Sequence, residues 1–134
     1  MAGYSGTPLL KKLGIKAAMR LAFVHEPEDY LILLGALPDG VQILDIITGD
    51  LDFIHAFYKE RAEFEAEYPA LKNALRKDGM LWISWPKKAS KIKTDITEDV
   101  IRDVALPMGL VDVKVCAVNE TWSGLKLMIR RENR

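Results

Sequence analysis

Two histidines are the side chains of this 134-residue sequence that titrate nearest neutral pH, and they stand in different settings. His25 ends an apolar run and precedes Glu26, a pairing that could orient a general base. His55 lies within an apolar segment, where a histidine is usually a hydrogen-bonded core residue. His25 and Glu26 are therefore the candidate catalytic residues, and His55 is predicted to be structural.

A proline, two tryptophans and a run of lysines form a second set of candidates. The chain changes from buried to solvated character at Trp85-Pro86-Lys87-Lys88, and four lysines without an acid lie between positions 87 and 93. Such a run either binds an anion or forms a solvated loop. Trp85 and Trp122 offer flat rings on which another ring could stack. The predicted ligand-binding residues are Trp85, Lys87, Lys88, Glu120, Thr121 and Trp122.

Other chemistries find less support in the sequence. Cys116 is the sole cysteine, and the Cys and His residues do not cluster at the spacing of a zinc site, so no metal site is predicted. The Cys116 thiol is expected to be a small packed side chain rather than a nucleophile. No serine lies in the glycine-flanked turn of a hydrolase nucleophile.

The overall charge limits the kind of partner. Nineteen Lys and Arg residues balance nineteen Asp and Glu residues, which gives a formal net charge of zero. A neutral chain has no global field that draws it to nucleic acid or to an anionic membrane, and we expect neither as a partner. No apolar run reaches the length of a membrane span, and a lone cysteine is typical of a reducing compartment. We expect a cytoplasmic protein.

Hydrophobic periodicity and turn residues predict the elements that position these side chains. Pro69 should kink or divide the long third helix, and Asp78-Gly79 should close it. Asp95 and Glu98 have the spacing of a capping box at the start of the last helix. Strands are predicted at 20–24, 41–47, 52–58, 80–85, 111–117 and 125–129, and helices at 7–13, 28–34, 59–77 and from Asp95 onward.

Strands that alternate with helices favour one α/β domain over residues 1–134, with a mainly parallel sheet and helices on both faces. We expect a reduced Rossmann-like sheet of five or six strands that ends in an antiparallel hairpin. The direction of 41–47 relative to 52–58 stays open. Their short connection permits either an antiparallel pair or a short second strand whose tail serves as the return. The carboxyl ends of the parallel strands should gather His25, Trp85 and Trp122 at one edge.

From Asp52 to the final hairpin, this order of elements resembles the second half of the class I methyltransferase fold, over roughly residues 50–131. The resemblance raises S-adenosylmethionine as a cofactor and Asp45 as an acid that could hold its ribose. The family places a glycine-rich turn after its first strand. This chain has His25-Glu26-Pro27-Glu28-Asp29 there, so S-adenosylmethionine is disfavoured and the cofactor stays unknown.

Three longer sequence segments show a second resemblance. The sequences GYSGTPL at 3–9, WPKKAS at 85–90 and VDVKVCAV at 111–118 are similar to those of a family of small bacterial proteins known only as a domain of unknown function. The resemblance implies a bacterial cytosolic protein and supplies no catalytic residue.

Three functions follow from these features. The first is a non-catalytic or accessory domain that binds an anionic small molecule or a partner at the carboxyl edge of the sheet. The alternative is a divergent S-adenosylmethionine-dependent methyltransferase-like enzyme. The third is a structural module that forms a homodimer through the exposed edge strand of the hairpin. From the sequence we favour the first, and therefore lean away from an enzyme.

Overall fold

The computed structural model describes residues 8–134, and its strands form one six-stranded mixed sheet. The strands are β1 Arg20–Val24, β2 Gln42–Ile43, β3 Leu51–Phe57, β4 Leu75–Pro86, β5 Leu110–Ala117 and β6 Trp122–Ile129. Their order across the sheet is β2-β1-β3-β4-β6-β5. The first four of these run parallel, whereas β6 is antiparallel to both of its neighbours. The predicted mixed α/β sheet with a terminal antiparallel hairpin is confirmed.

Helices cover both faces of this sheet, as predicted. The helices are α1 Leu9–Leu13, α2 Tyr30–Leu34, α3 Arg61–Ala74 and α4 Glu98–Ala105. α1 and α2 pack in one apolar layer with Phe53 and Trp82, and α3 and α4 pack in the other with Leu81 and Ile83. Thr7, at which the first helix was predicted to begin, lies outside the described residues. Between residues 8 and 134, no helix has both the length and the apolar character needed to cross a membrane.

The second strand is much shorter than its hydrophobic pattern predicts. β2 contains only Gln42 and Ile43, and it pairs in parallel with β1. β1 in turn separates β2 from β3. The rest of the predicted strand turns through a 3₁₀ helix, Ile46–Thr48, and Gly49 then takes a positive φ of 72°. Of the two arrangements left open, the structure therefore adopts the short strand whose tail returns the chain to β3.

The junction of α3 and β4 corrects the predicted end of the helix. α3 runs through Pro69 without being divided, and it ends at Ala74, directly before β4 begins at Leu75. Asp78-Gly79 therefore lies inside β4 and does not close the helix. A Cβ at Gly79 would stand 2.7 Å from the carbonyl oxygen of Leu51, so the neighbouring strand requires a glycine at this point.

The start of α4 also differs from the prediction. Thr97 is its cap, because Thr97 Oγ1 accepts a hydrogen bond from the backbone nitrogen of Val100 at 3.2 Å. Asp95 instead accepts one from the first amide of α3, that of Arg61, at 2.6 Å. Thr94 Oγ1 donates to the carbonyl of Lys59 at 2.6 Å. The lysine-rich loop is thus fastened to the segment that leaves β3, at the carboxyl edge of the sheet.

Candidate functional site

The carboxyl ends of β1 and β3 open into a cavity of about 440 Å³, which we call the rim cleft. β1 and β3 are parallel neighbours, so their ends meet at the same edge of the sheet, where open α/β folds bind ligands. The volume is in the range of small-molecule sites. The cleft is lined by His25, Pro27, Phe57, Lys59, Glu60, Glu63 and Trp122.

One wall of the rim cleft is aromatic. Trp122 and Phe57 meet edge to face, with ring centroids 5.1 Å apart. Asn119 Oδ1 accepts hydrogen bonds from the backbone nitrogens of Thr121 at 2.9 Å and Trp122 at 2.8 Å, which fixes the turn before β6. The half-buried Trp122 ring is therefore held in place at the cleft by the hairpin turn.

The opposite wall carries charge and one of the two histidines. His25 has a φ of 56°, a left-handed conformation that is uncommon for a residue with a side chain. Its ring meets Tyr58 edge to face, at 5.5 Å between centroids. His25 Nε2 lies 2.9 Å from Glu67 Oε1 and 3.9 Å from Glu63 Oε2. The carboxylates that contact this imidazole thus come from α3, whereas Glu26, its predicted partner, is exposed beside α2.

The buried Tyr58 orients one of the carboxylates of this wall. Its hydroxyl donates to Glu67 Oε1 at 2.7 Å. Burial is the main cause that raises the pKa of Tyr58, and the hydrogen bond to Glu67 and the charges of Glu67 and Glu63 raise it further. The phenol therefore stays neutral and keeps donating to the carboxylate.

Trp85 and Trp122, which were expected near one another, lie on opposite faces of the sheet. Trp85 belongs to the core layer under α3 and α4, and Trp122 packs against the layer under α1 and α2. Successive residues of a strand point to opposite faces, and Trp122 pairs with Pro86 rather than with Trp85. The two rings therefore cannot stack on one ligand.

The lysine run lines a cavity of its own. Trp85 and Lys88 border a space of about 510 Å³ together with Lys91 and Lys93, which we call the lysine-loop cavity. A third cavity, of about 400 Å³, adjoins both: it shares Lys59 and Glu60 with the rim cleft and Lys93 and Thr94 with the lysine-loop cavity. Lys88 and Trp122 therefore stand in different cavities along the same edge.

The remaining predicted ligand-binding residues belong to the junction of β4 and the hairpin. The half-buried Lys87 donates its backbone N–H to the carbonyl of Thr121 at 2.8 Å. Glu120, which precedes Thr121 in the turn, is exposed. Their binding roles stay predictions.

His55 is the core residue that the sequence predicted, and it is fully buried. The hydroxyl of Tyr30 lies 2.6 Å from His55 Nδ1, and Ser84 Oγ lies 2.7 Å from His55 Nε2. Burial lowers the pKa of His55 to about 3, so the imidazole is neutral. Tyrosine, histidine and serine in series resemble the parts of a hydrolase relay, but Ser84 is also fully buried and meets no substrate.

Sequence reasoning missed Glu63 and Glu67. Their spacing of four residues on a helix was visible, but it indicated only a solvated face. Cys116 is half-buried, and burial raises the pKa of its thiol, although the charges of Lys12 and Lys114 act in the other direction. A raised pKa disfavours the thiolate and agrees with a packed side chain.

Comparison with known proteins gives structural matches only. A scan against protein-family models and a search of curated proteins found no match. A SAM-dependent methyltransferase from Aquifex aeolicus matches with a TM-score of 0.61 at 16% identity, over 91% of this chain and 88% of that one. The DhpI–SAH complex matches with a TM-score of 0.63 at 10% identity, over 92% and 83% of the two chains. A TehB-like SAM-dependent methyltransferase from Corynebacterium glutamicum matches with a TM-score of 0.55 at 12% identity, over 96% and 91%.

These matches correct the function favoured from the sequence. A non-catalytic or accessory domain that binds an anion was the wrong first choice, since the matched structures are described as SAM-dependent methyltransferases or as a complex with SAH. The physical reason is that the lysine run, on which that choice rested, lies outside the lining of the rim cleft. The methyltransferase-like alternative has the better support. This chain has the Rossmann-like fold of the SAM-dependent methyltransferases.

Proposed function

We propose that this chain is a divergent methyltransferase-like enzyme that binds S-adenosylmethionine in the rim cleft. The observation that carries the proposal is the position of the cleft. It opens at the carboxyl ends of β1 and β3, where folds of this kind bind their ligands. The likeness of the fold to solved SAM-dependent methyltransferases supports the same choice of ligand.

The lining of the cleft suits a ligand that combines a ring with charges of both signs. Phe57 and Trp122 offer aromatic surface to a purine or to a sulfonium cation. Lys59 and Glu60 are exposed side by side, and they would pair with a carboxylate and an ammonium group respectively. When bound, S-adenosylmethionine supplies a sulfonium methyl group for transfer to a nucleophilic acceptor.

The turn after β1 is the point at which this chain diverges. His25 takes the left-handed conformation that glycine adopts most easily, and Pro27 has no backbone N–H to donate. α2, which follows, is only five residues long. Asp45 is exposed two residues after β2, where an acid could accept hydrogen bonds from ribose hydroxyls. The proposed grip therefore relies on the aromatic wall, on Lys59 and Glu60, and on Asp45 rather than on a glycine-rich turn.

Calorimetry and thermal unfolding of the full chain with S-adenosylmethionine, and with its neutral thioether product, test this proposal. We expect both ligands to raise the melting temperature, because a ligand that binds only the folded form stabilises it. The sulfonium should bind more tightly than the thioether, because the rings of Phe57 and Trp122 attract a cation. Absence of binding by both ligands would overturn the proposal.

Two lysines offer a matched pair of variants. Lys59 lines the rim cleft and Lys88 lines the lysine-loop cavity, and both are exposed. Lys59→Ala should weaken binding of both ligands, whereas Lys88→Ala should leave it unchanged. Trp122→Ala should weaken binding by about five- to 150-fold, since stacking of a base on a ring contributes about 1–3 kcal/mol. Equal effects of the two lysine substitutions would argue against the rim cleft as the site.

The cellular compartment and the oligomeric state of the protein are proposals as well. We propose a bacterial cytosolic protein, which the lone Cys116 and the resemblance of the sequence to small bacterial proteins support. A homodimer through β5 is supported by its place at the edge of the sheet and by the exposure of Val113 and Val115. Light scattering across a dilution series measures this, and a monomer at every concentration would exclude the dimer.

A further inference from the structure

We propose that His25, Glu63 and Glu67 form a binding site for a divalent transition-metal ion, with Zn²⁺ as the representative ion, at the wall of the rim cleft. The proposal goes beyond the cofactor site, because none of these three side chains takes part in the proposed grip on S-adenosylmethionine.

The distances among the three ligand atoms carry the proposal. His25 Nε2 lies 2.9 Å from a Glu67 oxygen and 3.9 Å from a Glu63 oxygen, and all three ligand atoms lie within 4.8 Å of one another. Zinc binds imidazole nitrogen and carboxylate oxygen at about 2.0–2.2 Å, which in tetrahedral geometry separates two ligands of one ion by roughly 3.3–3.6 Å. The observed distances lie on both sides of that range, so small side-chain rotations would place all three atoms around one ion.

The fold aims the three side chains at a common point. Glu63 and Glu67 lie one turn apart on α3 and share a helix face, where two like charges repel each other. A cation between them would remove this repulsion. His25 approaches from the end of β1 in its left-handed conformation, and its ring lies against Tyr58.

A hydrogen bond from outside the three ligands holds one of them in position. Tyr58 donates its hydroxyl hydrogen to Glu67 Oε1 at 2.7 Å and so orients this carboxylate. Metal-binding carboxylates in proteins are commonly held by such a hydrogen bond. Tyr58 itself is buried and fixed by the core, packed against Phe64.

The donor set indicates the class of ion. One imidazole and two carboxylates suit Zn²⁺, Mn²⁺ or Fe²⁺ better than Ca²⁺, which prefers six or more oxygens. The side chains of His25, Glu63 and Glu67 are 43%, 45% and 38% exposed, so an ion can reach them from solvent. Three protein ligands leave one position open, as in catalytic zinc sites. His25 and Glu63 line the rim cleft, so the open position would face it.

The test is calorimetric titration of the chelator-treated full chain with Zn²⁺, without any adenosyl ligand. We expect one Zn²⁺ per chain, a higher melting temperature in its presence, and much weaker binding of Ca²⁺. His25→Asn, Glu63→Gln and Glu67→Gln should each lower the affinity at least tenfold. Asparagine is chosen because it tolerates the left-handed backbone of position 25. Tyr58→Phe should lower the affinity by about tenfold without removing a ligand.

Glu65→Gln is the matched control. Glu65 lies on the same helix but pairs with Arg61, so its substitution should leave Zn²⁺ binding unchanged. Unfolding of each variant in chelator checks that the fold is intact. Absence of Zn²⁺ binding, or binding that survives all three ligand substitutions, would overturn the proposal. Because no adenosyl ligand is present in this titration, failure to bind Zn²⁺ would not bear on the proposed cofactor site. Failure to bind S-adenosylmethionine would likewise not bear on the proposed metal site.

Discussion

One histidine of this chain lies within β3, the other lies just beyond the neighbouring strand β1, and their surroundings are opposite. His55 lies in the middle of β3, is fully buried, and stands between the hydroxyls of Tyr30 and Ser84. His25 lies just beyond the end of β1, is 43% exposed, and stands among the carboxylates of α3. The buried ring meets partners that are neutral, and the exposed ring meets partners that are charged.

The difference shows how position along a strand decides what a histidine can do. Within the strand, burial removes water from the imidazole and lowers the pKa of His55 to about 3, so it acts as a neutral hydrogen-bonding part of the core. Beyond the strand, the ring reaches solvent, carboxylates and the rim cleft. One histidine is therefore expected to govern stability, and the other to govern binding.

Acidification should produce the largest effect. Between its ordinary pKa of 6.5 and the folded value of about 3, His55 is protonated in the unfolded chain but not in the folded one. The free energy of unfolding must therefore fall as the pH falls through this range. His55 alone should account for a loss of about 3 kcal/mol between pH 6.5 and about pH 4, which urea unfolding at the two pH values measures.

His55→Gln isolates this contribution, because glutamine cannot take up the proton. The variant should be less stable than the parent near neutral pH, and it should lose less stability on acidification. If the two proteins lose the same free energy of unfolding between these pH values, the buried histidine is not the acid-sensitive group.

Removal of one partner of His55 should produce an intermediate effect. Ser84→Ala deletes the hydroxyl that faces His55 Nε2 and leaves a buried ring nitrogen without it. An unsatisfied buried polar group costs about 1–3 kcal/mol, and denaturant unfolding at neutral pH should show a loss of this size. Ser123→Ala, at a half-buried position of β6, is the control and should cost less. Equal losses would show that the buried relay does not contribute to stability.

Substitution of the exposed histidine should produce the smallest effect. In chelator, His25→Asn should change the free energy of unfolding by no more than about 0.5 kcal/mol, because exposed charged contacts contribute little. His25→Val should cost about 1–2 kcal/mol more, because a β-branched side chain does not fit a φ of 56°. Thermal unfolding of both variants compares them, and a large loss for the asparagine variant would contradict the assignment of His25 to binding.

The sequence predicted the elements best where local signals agree. β1 has the predicted bounds because its apolar run stops at His25-Glu26-Pro27, and the hairpin follows from strict alternation. The junction of α3 and β4 could not be predicted. Asp78-Gly79 has the chemistry of a helix end, but the requirement for glycine comes from the adjacent strand. Likewise, Asp95 resembles a cap for α4 and instead caps α3, from which it is distant in sequence.

The candidate site followed from the sequence only in outline. The strand directions correctly predicted that His25 and Trp122 lie at the carboxyl edge of the sheet. Local sequence, however, does not reveal which helix residues face the end of a strand. Glu63 and Glu67 meet His25 because α3 places them next to the residue that follows β1, which is a tertiary property. For the same reason, the opposite facing of Trp85 and Trp122 depends on the register of β4 with β6.

The start of β4 leaves room for changes in chain length that α3 does not have. Leu75 pairs with Leu51 and Met80 pairs with Phe53, so five steps along β4 oppose two steps along β3, and residues 76–78 of this bulge are exposed. A residue inserted there would enlarge the bulge and leave the carboxylates of α3 facing the imidazole. Each residue of an α-helix turns the chain by about 100°. A residue inserted between Glu63 and Glu67 would therefore turn one carboxylate by that angle relative to the other and separate the pair.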